Sequence, residues 1–88
     1  MAEIVIHKNA EKYLQKLPTN QKEKIKSSLF KLAINPDNYP QALPMVGKWT
    51  GYRRIRIGNF RIIFWFDRSE NIIYVDNIGP RGDIYKKL

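Results

Sequence analysis

The sequence predicts an α+β domain of order β-α-α-β-β-β, with two N-terminal helices packed on one face of an antiparallel sheet and a short C-terminal tail or helical turn. Three observations predict it. Apolar residues recur at helical spacing through the first third of the chain. Three runs rich in aromatic and β-branched residues fill the second half. Turn signals, Gly58-Asn59 and Arg68-Ser69-Glu70-Asn71, separate those runs. The 88 residues suffice for one compact domain, expected to span 1–88, and not for two.

Each element follows from its residues. The stretch EIVIH is short and β-branched, predicting a strand over about residues 4–7. Ala10, Tyr13, Leu14 and Leu17 then recur at helical spacing, with Asn9 as the expected N-cap and Pro18 as the stop. Asn20 and Glu23 have capping-box spacing, and Ile25, Leu29 and Leu32 follow on one face, predicting a second helix to about residue 34. Asn35-Pro36 ends it, because a residue before proline is pushed out of the helical region. Residues 36–48, with Pro36, Pro40 and Pro44, read as an ordered connecting loop. The three β runs cover residues 49–57, 60–67 and 72–78.

Sixteen Lys and Arg against eight Asp and Glu give a formal net charge of +8. A field of that sign favours a polyanionic partner, nucleic acid above all, with an acidic protein as the alternative. There is no cysteine, so disulfides and thiolate metal sites are excluded, and His7 alone cannot build a histidine-based site. No cofactor is expected. The first residues carry charges too early for a signal peptide, and no apolar run approaches the ~20 residues of a membrane helix. A soluble, cytoplasmic protein without membrane contact is the expectation.

The hairpin reading extends to side-chain directions. With a two-residue turn at Gly58-Asn59, Ile57 pairs with Phe60, Arg56 with Arg61, Ile55 with Ile62, and Arg54 with Ile63. Alternation puts Ile55, Ile57, Phe60, Ile62 and Phe64 on the core face and Arg54, Arg56, Arg61 and Trp65 on the other. Arginines directly across from one another repel, an arrangement of no use to a fold. If Ile73 and Val75 form the apolar side of the last strand, Gly79 lies beside Phe60, and Arg81 emerges near the Arg56–Arg61 pair with Tyr85 four residues on. Guanidinium forks suit phosphate oxygens, and Tyr and Arg stack on unpaired bases, so this surface fits single-stranded RNA.

The stretches WTGYRRIRIGNFRIIFWF and IIYVDNIGPRGDIY resemble the C-terminal half of RelE/ParE superfamily toxins, and the preceding strand and helix pair fit the same layout. The most specific parts are the Arg-hydrophobic-Arg strand leading into GNFR at 58–61 and the RGDIY ending. The resemblance implies the toxin of a type II toxin–antitoxin system. RelE-like members cut mRNA, usually on the ribosome and without a metal, whereas ParE-like members poison DNA gyrase. Carried over by motif, Arg54, Arg56, Arg61, Arg81 and Tyr85 match the catalytic positions of the nucleases, and the Arg81–Tyr85 pair favours the nuclease over the gyrase poison. The implied partners are mRNA, the ribosome and an acidic, partly disordered antitoxin encoded by an adjacent gene.

One departure bears on mechanism. Where nucleases of the family often carry lysine, histidine or glutamate, this chain has Arg54, Arg56 and Pro80. Arginine stays protonated above pH ~12 and accepts no proton, so the general base is unassigned. Asp83 is a nearby carboxylate, but a turn residue or helix cap is the plainer reading of it in RGD. Either cleavage runs on electrostatics and positioning, or the chain is a non-catalytic RNA- or ribosome-binding module. The plainer readings stand beside these: the arginines as a solvated face, Tyr85 packed on the core, and Trp49, Tyr52 and Trp65 as core or interface aromatics.

Overall fold

The computed structural model describes residues 1–80. Its elements are β1 (Glu3–Ile6), α1 (Lys8–Gln15), α2 (Thr19–Ile34), β2 (Ala42–Pro44), β3 (Arg53–Ile57), β4 (Phe60–Asp67) and β5 (Ile72–Pro80), with a 3-10 turn at Gly47–Trp49 before β3. The strands form one five-stranded sheet in the order β1-β5-β4-β3-β2. Both helices pack on one of its faces, as the sequence predicts.

The sheet is mixed, not purely antiparallel. β1 runs parallel to β5, with Glu3 opposite Ile72 and Ile6 opposite Val75, while the other strand pairs are antiparallel. Parallel neighbours need a long crossover, and here the helices and the whole β2–β4 meander supply it. The expected loop also contains β2, pairing Ala42 with Ile55 and Pro44 with Arg53. Pro44 is tolerated because β2 is an edge strand, where a missing N–H breaks no ladder. The strand expected from residue 49 starts at Arg53 instead. Trp49 closes the 3-10 turn, held by the Thr50 hydroxyl donating to the Gly47 carbonyl at 2.7 Å and by Tyr52 N–H to the Trp49 carbonyl at 2.9 Å.

Both helix starts differ from expectation. His7, not Asn9, caps α1, its Nδ1 accepting from the Asn9 amide at 3.2 Å. An imidazole nitrogen thus does the work of the usual carboxylate or hydroxyl. Pro18 precedes α2 without a side-chain cap, and Asn20 accepts from the adjacent Gln21 amide at 2.9 Å, so the Asn20–Glu23 capping box does not form. The apolar faces are as predicted. Leu14 of α1 and Ile25, Leu29 and Leu32 of α2 meet Ile55, Ile62, Phe64, Ile73 and Val75 of the sheet, each such side chain contributing ~1.5–3 kcal/mol on burial. Tyr13 sets its ring edge-on to Phe60, centroids 6.2 Å apart.

Polar contacts anchor the connections. Asp67 accepts from the Ser69 hydroxyl and from the Ser69 and Glu70 amides, closing the β4–β5 turn in which Asn71 takes φ 57. The Ser69 hydroxyl first, then the Glu70 and Ser69 amides, hold the Asp67 carboxyl below its ordinary pKa. Arg68 binds Asp37 in the α2–β2 connection. Arg53 lies on the core side of the sheet, opposite Phe64, and is half-buried. Its guanidinium donates to the Pro36 carbonyl at 2.9 Å and to the Ala42 carbonyl at 3.0 Å, 5.9 Å from the Phe64 ring centre. One side chain thus ties the connection and β2 to β3.

Arg53→Ala therefore lowers stability by about 2 kcal/mol, the scale of hydrogen bonds from a charged donor to backbone carbonyls. Arg53→Lys recovers less than half, since an ammonium lacks the planar fork that reaches both oxygens. Urea denaturation midpoints of the three proteins check this, and a change under ~0.5 kcal/mol for the alanine variant contradicts it.

Candidate functional site

The β3–β4 hairpin is set by a local rule. Gly58 has φ +56, the positive value that tight two-residue hairpin turns need at their first central position. Ile57 is thereby opposite Phe60, and the pairs Arg56–Arg61, Ile55–Ile62 and Arg54–Ile63 follow as the sequence predicts. Ile55, Ile62 and Phe64 lie in the core, with Ile57 and Phe60 packed against it. By alternation Arg54, Arg56, Arg61 and Trp65 stand on the face turned away from the helices.

Their surroundings differ. Arg56 is exposed, Arg54 is half-buried, and Arg61 is only 7% accessible, the one buried charged side chain among the described residues. Arg54 sits between apolar neighbours, Ile63 on β4 and Leu43 on β2, and its buried Nε has no hydrogen-bond acceptor. Arg61 has Arg56 on one side and Gly79 on the other. Opposed side chains have Cβ atoms ~5 Å apart, and Arg54 lies ~7 Å along the strand from Arg56. Like charges at that spacing cost a few tenths to ~1 kcal/mol, and withdrawing a guanidinium from water costs more. The arrangement concentrates positive potential where a multi-oxygen anion matches several guanidinium forks.

The last strand departs from expectation by one residue. Phe64 faces Val75 but Ile63 faces Asn77, so Asp76 is an extra residue in β5. Ile73 and Val75 do face the core, joined by Ile78 beyond the irregularity. Phe60 consequently lies beside Pro80, and Gly79 beside Arg61. Arg81, Asp83 and Tyr85 lie outside the described residues.

In the strand register Arg54 is opposed by Leu43 and Ile63, Arg56 by Arg61, and Arg61 also by Gly79. His7 is engaged in capping α1, and Asp76 accepts from Asn77 at 2.9 Å. What the three arginines offer is stabilisation of negative charge. Among the described residues no three His, Cys, Asp or Glu side chains converge as metal ligands, and no helix is long and apolar enough to cross a membrane. Trp65 stacks on Tyr74 with centroids 4.7 Å apart and planes at 16°, and Trp49 meets Tyr52 edge-on at 5.0 Å. Sequence reasoning overlooked Arg53. Its signal was parity, since a residue next to Arg54 falls on the apolar face, where a charge must find acceptors.

Residues 4–85 match the family described as ParE toxin of type II toxin–antitoxin system, parDE. No curated protein matches the sequence. Among solved structures, the fold is similar to a chain of the Mycobacterium tuberculosis toxin–antitoxin complex RelBE2, with TM-score 0.79 and 18% identity over 91% of this chain and 98% of that one. It is similar to the isolated RelE toxin of E. coli, with TM-score 0.76 and 16% identity over 99% and 94%. A chain of the archaeal RelE–RelB complex from Pyrococcus horikoshii gives TM-score 0.73 and 24% identity over 93% and 97%. At these identities the likeness is one of fold.

An anion held by the arginine row stabilises the native state by mass action, about 1.4 kcal/mol at ten times its Kd. Sulfate or phosphate should raise the thermal midpoint by several degrees, ~4–8 °C per kcal/mol for a domain this size. Arg56→Gln should reduce the rise by at least half, measured against sodium chloride at equal ionic strength. Equal rises in parent and variant contradict an anion site at Arg56.

Proposed function

The chain belongs to the ParE toxin family of type II toxin–antitoxin systems, within the RelE/ParE superfamily, and from that premise we propose that it is a metal-independent endoribonuclease that cuts mRNA on the ribosome. The observation that carries the reading is the row of Arg54, Arg56 and Arg61 on one sheet face, with Arg61 buried and directly across from Arg56. In this mechanism the RNA 2′-hydroxyl attacks the adjacent phosphorus and the bond to the 5′ oxygen breaks. The products are a 2′,3′-cyclic phosphate and a 5′-hydroxyl. Negative charge grows on the non-bridging oxygens between those two events, and in this reading the guanidinium row binds it.

Arg54, Arg56 and Arg61 are proposed as phosphate-binding catalytic residues. Arg81 and Tyr85 join them by motif, Arg81 as a further phosphate ligand and Tyr85 as a stacking or proton-transferring group. The arginines raise the acidity of the attacking hydroxyl by stabilising the charge that follows, which lessens the demand on a base. A basic toxin of this kind suits an acidic, partly disordered antitoxin that folds on it. Two of the similar solved chains come from RelBE and RelE–RelB complexes, which supports such a partner.

A second reading, a ParE-like gyrase poison, draws on the family model itself, which describes ParE toxins. The two make opposite forecasts. Expressed without antitoxin, the nuclease stops translation before replication, and its RNA fragments carry 2′,3′-cyclic or 3′-phosphate ends opposite 5′-hydroxyl ends. Arg61→Ala and Arg81→Ala each lose about 10²-fold or more in cleavage, the scale of a lost transition-state donor. Gyrase-dependent DNA breaks with intact mRNA select the second reading instead.

A further inference from the structure

The positive surface does not end at the arginine row. β2 pairs with β3 only from Arg53 to Ile55, so the edge of β3 at Arg56 and Ile57 has no strand beside it. A cleft of about 450 Å³ opens there between β3 and α2, bordered by Lys24, Lys31 and Arg56. Lys24 and Lys31 are seven residues apart, two turns along one stripe of α2, with Ser27 and Ser28 between them. The Ser28 and Tyr39 hydroxyls meet 3.1 Å apart in the more buried part of the cleft, Ser28 being 8% accessible. Among the described residues Glu23 is the one carboxylate on its border.

We propose that this cleft is a second phosphate subsite, which holds a backbone phosphate of single-stranded RNA next to the one engaged by the arginine row. The inference rests on the ribonuclease reading. Its argument is continuity and charge. Arg56 borders both the row and the cleft, and among the described residues three cations with hydroxyl donors line it beside a single carboxylate. A polymer with an anion on every unit fills both places at once, whereas an acidic peptide has no charge at each residue. Ammonium groups and hydroxyls bind phosphate oxygens as point donors, so the subsite contributes affinity and path without base preference.

The test compares two variants of equal charge in the full chain freed of antitoxin. Lys24→Gln/Lys31→Gln removes the cleft cations, and Lys22→Gln/Lys26→Gln removes two from the other side of α2, where those lysines border a different groove. Affinity is measured across a salt series for an oligoribonucleotide of about ten units with 2′-deoxy residues that block cleavage. The cleft variant should weaken binding about tenfold near 0.1 M salt and lower the slope of log affinity against log salt by ~0.7, the value of one lost phosphate contact on a single strand. The control variant should leave the slope unchanged, and Glu23→Gln should tighten binding several-fold.

Equal losses in both lysine variants would mean that only net charge matters, and they would overturn the subsite. An unchanged RNA slope with weakened antitoxin binding would also overturn it and assign the cleft to protein contact. A parent that neither binds the oligoribonucleotide nor cuts mRNA under translation would sink the ribonuclease reading itself, a result distinct from either of these.

Discussion

The register of the β3–β4 hairpin is the constraint on which the rest depends. A side-chain period of two leaves no intermediate choice, because a slip by one residue exchanges the faces. With Gly58 at positive φ and Ile57 opposite Phe60, the apolar residues of both strands meet the helices and the arginines meet each other. The same step that builds the core therefore builds the charged row. Phe64, Ile55 and Ile62, all at 0% accessibility, hold Arg56 and Arg61 face to face against their repulsion.

The edges of the sheet complete the design. β5 lies between β1 and β4, parallel to the first and antiparallel to the second, and its irregularity at Asp76 places Gly79 beside Arg61. On the other side β2 is three residues long, and Arg53 clamps it and the preceding connection to β3. That brevity leaves the end of β3 open beside α2, so positive charge continues from the sheet onto a helix. Strand length at one edge thus governs how far the positively charged surface extends.

Much of this was legible in the sequence because it is local. The hairpin pairs, the core faces of α1 and α2 and the placement of Arg54, Arg56 and Arg61 follow from turn chemistry and periodicity over a few residues. The parallel β1–β5 pairing was not legible, since Glu3 and Ile72 meet across nearly the whole chain and neither run encodes the direction of a distant partner. β2 escaped notice because Ala-Leu-Pro has no strand pattern of its own and is held by β3 and Arg53. One extra residue, Asp76, displaced the end of β5 by one position, which periodicity alone does not reveal. His7 as a helix cap was missed because the pattern looks for oxygen acceptors, while an imidazole nitrogen serves equally well.

The central claim is that RNA is gripped by the sheet face turned away from the helices, at the hairpin end. NMR titration of the isotope-labelled chain with a cleavage-blocked single-stranded oligoribonucleotide tests it most directly. The account predicts the largest shifts at the guanidinium Nε–H groups of Arg54, Arg56 and Arg61 and at the backbone amides of 54, 56, 61 and 79, with the groove between β1 and α2 little changed. Shifts centred on Ile4, Lys26, Leu29 and Phe30 of that groove, with the arginine signals unmoved, would contradict it.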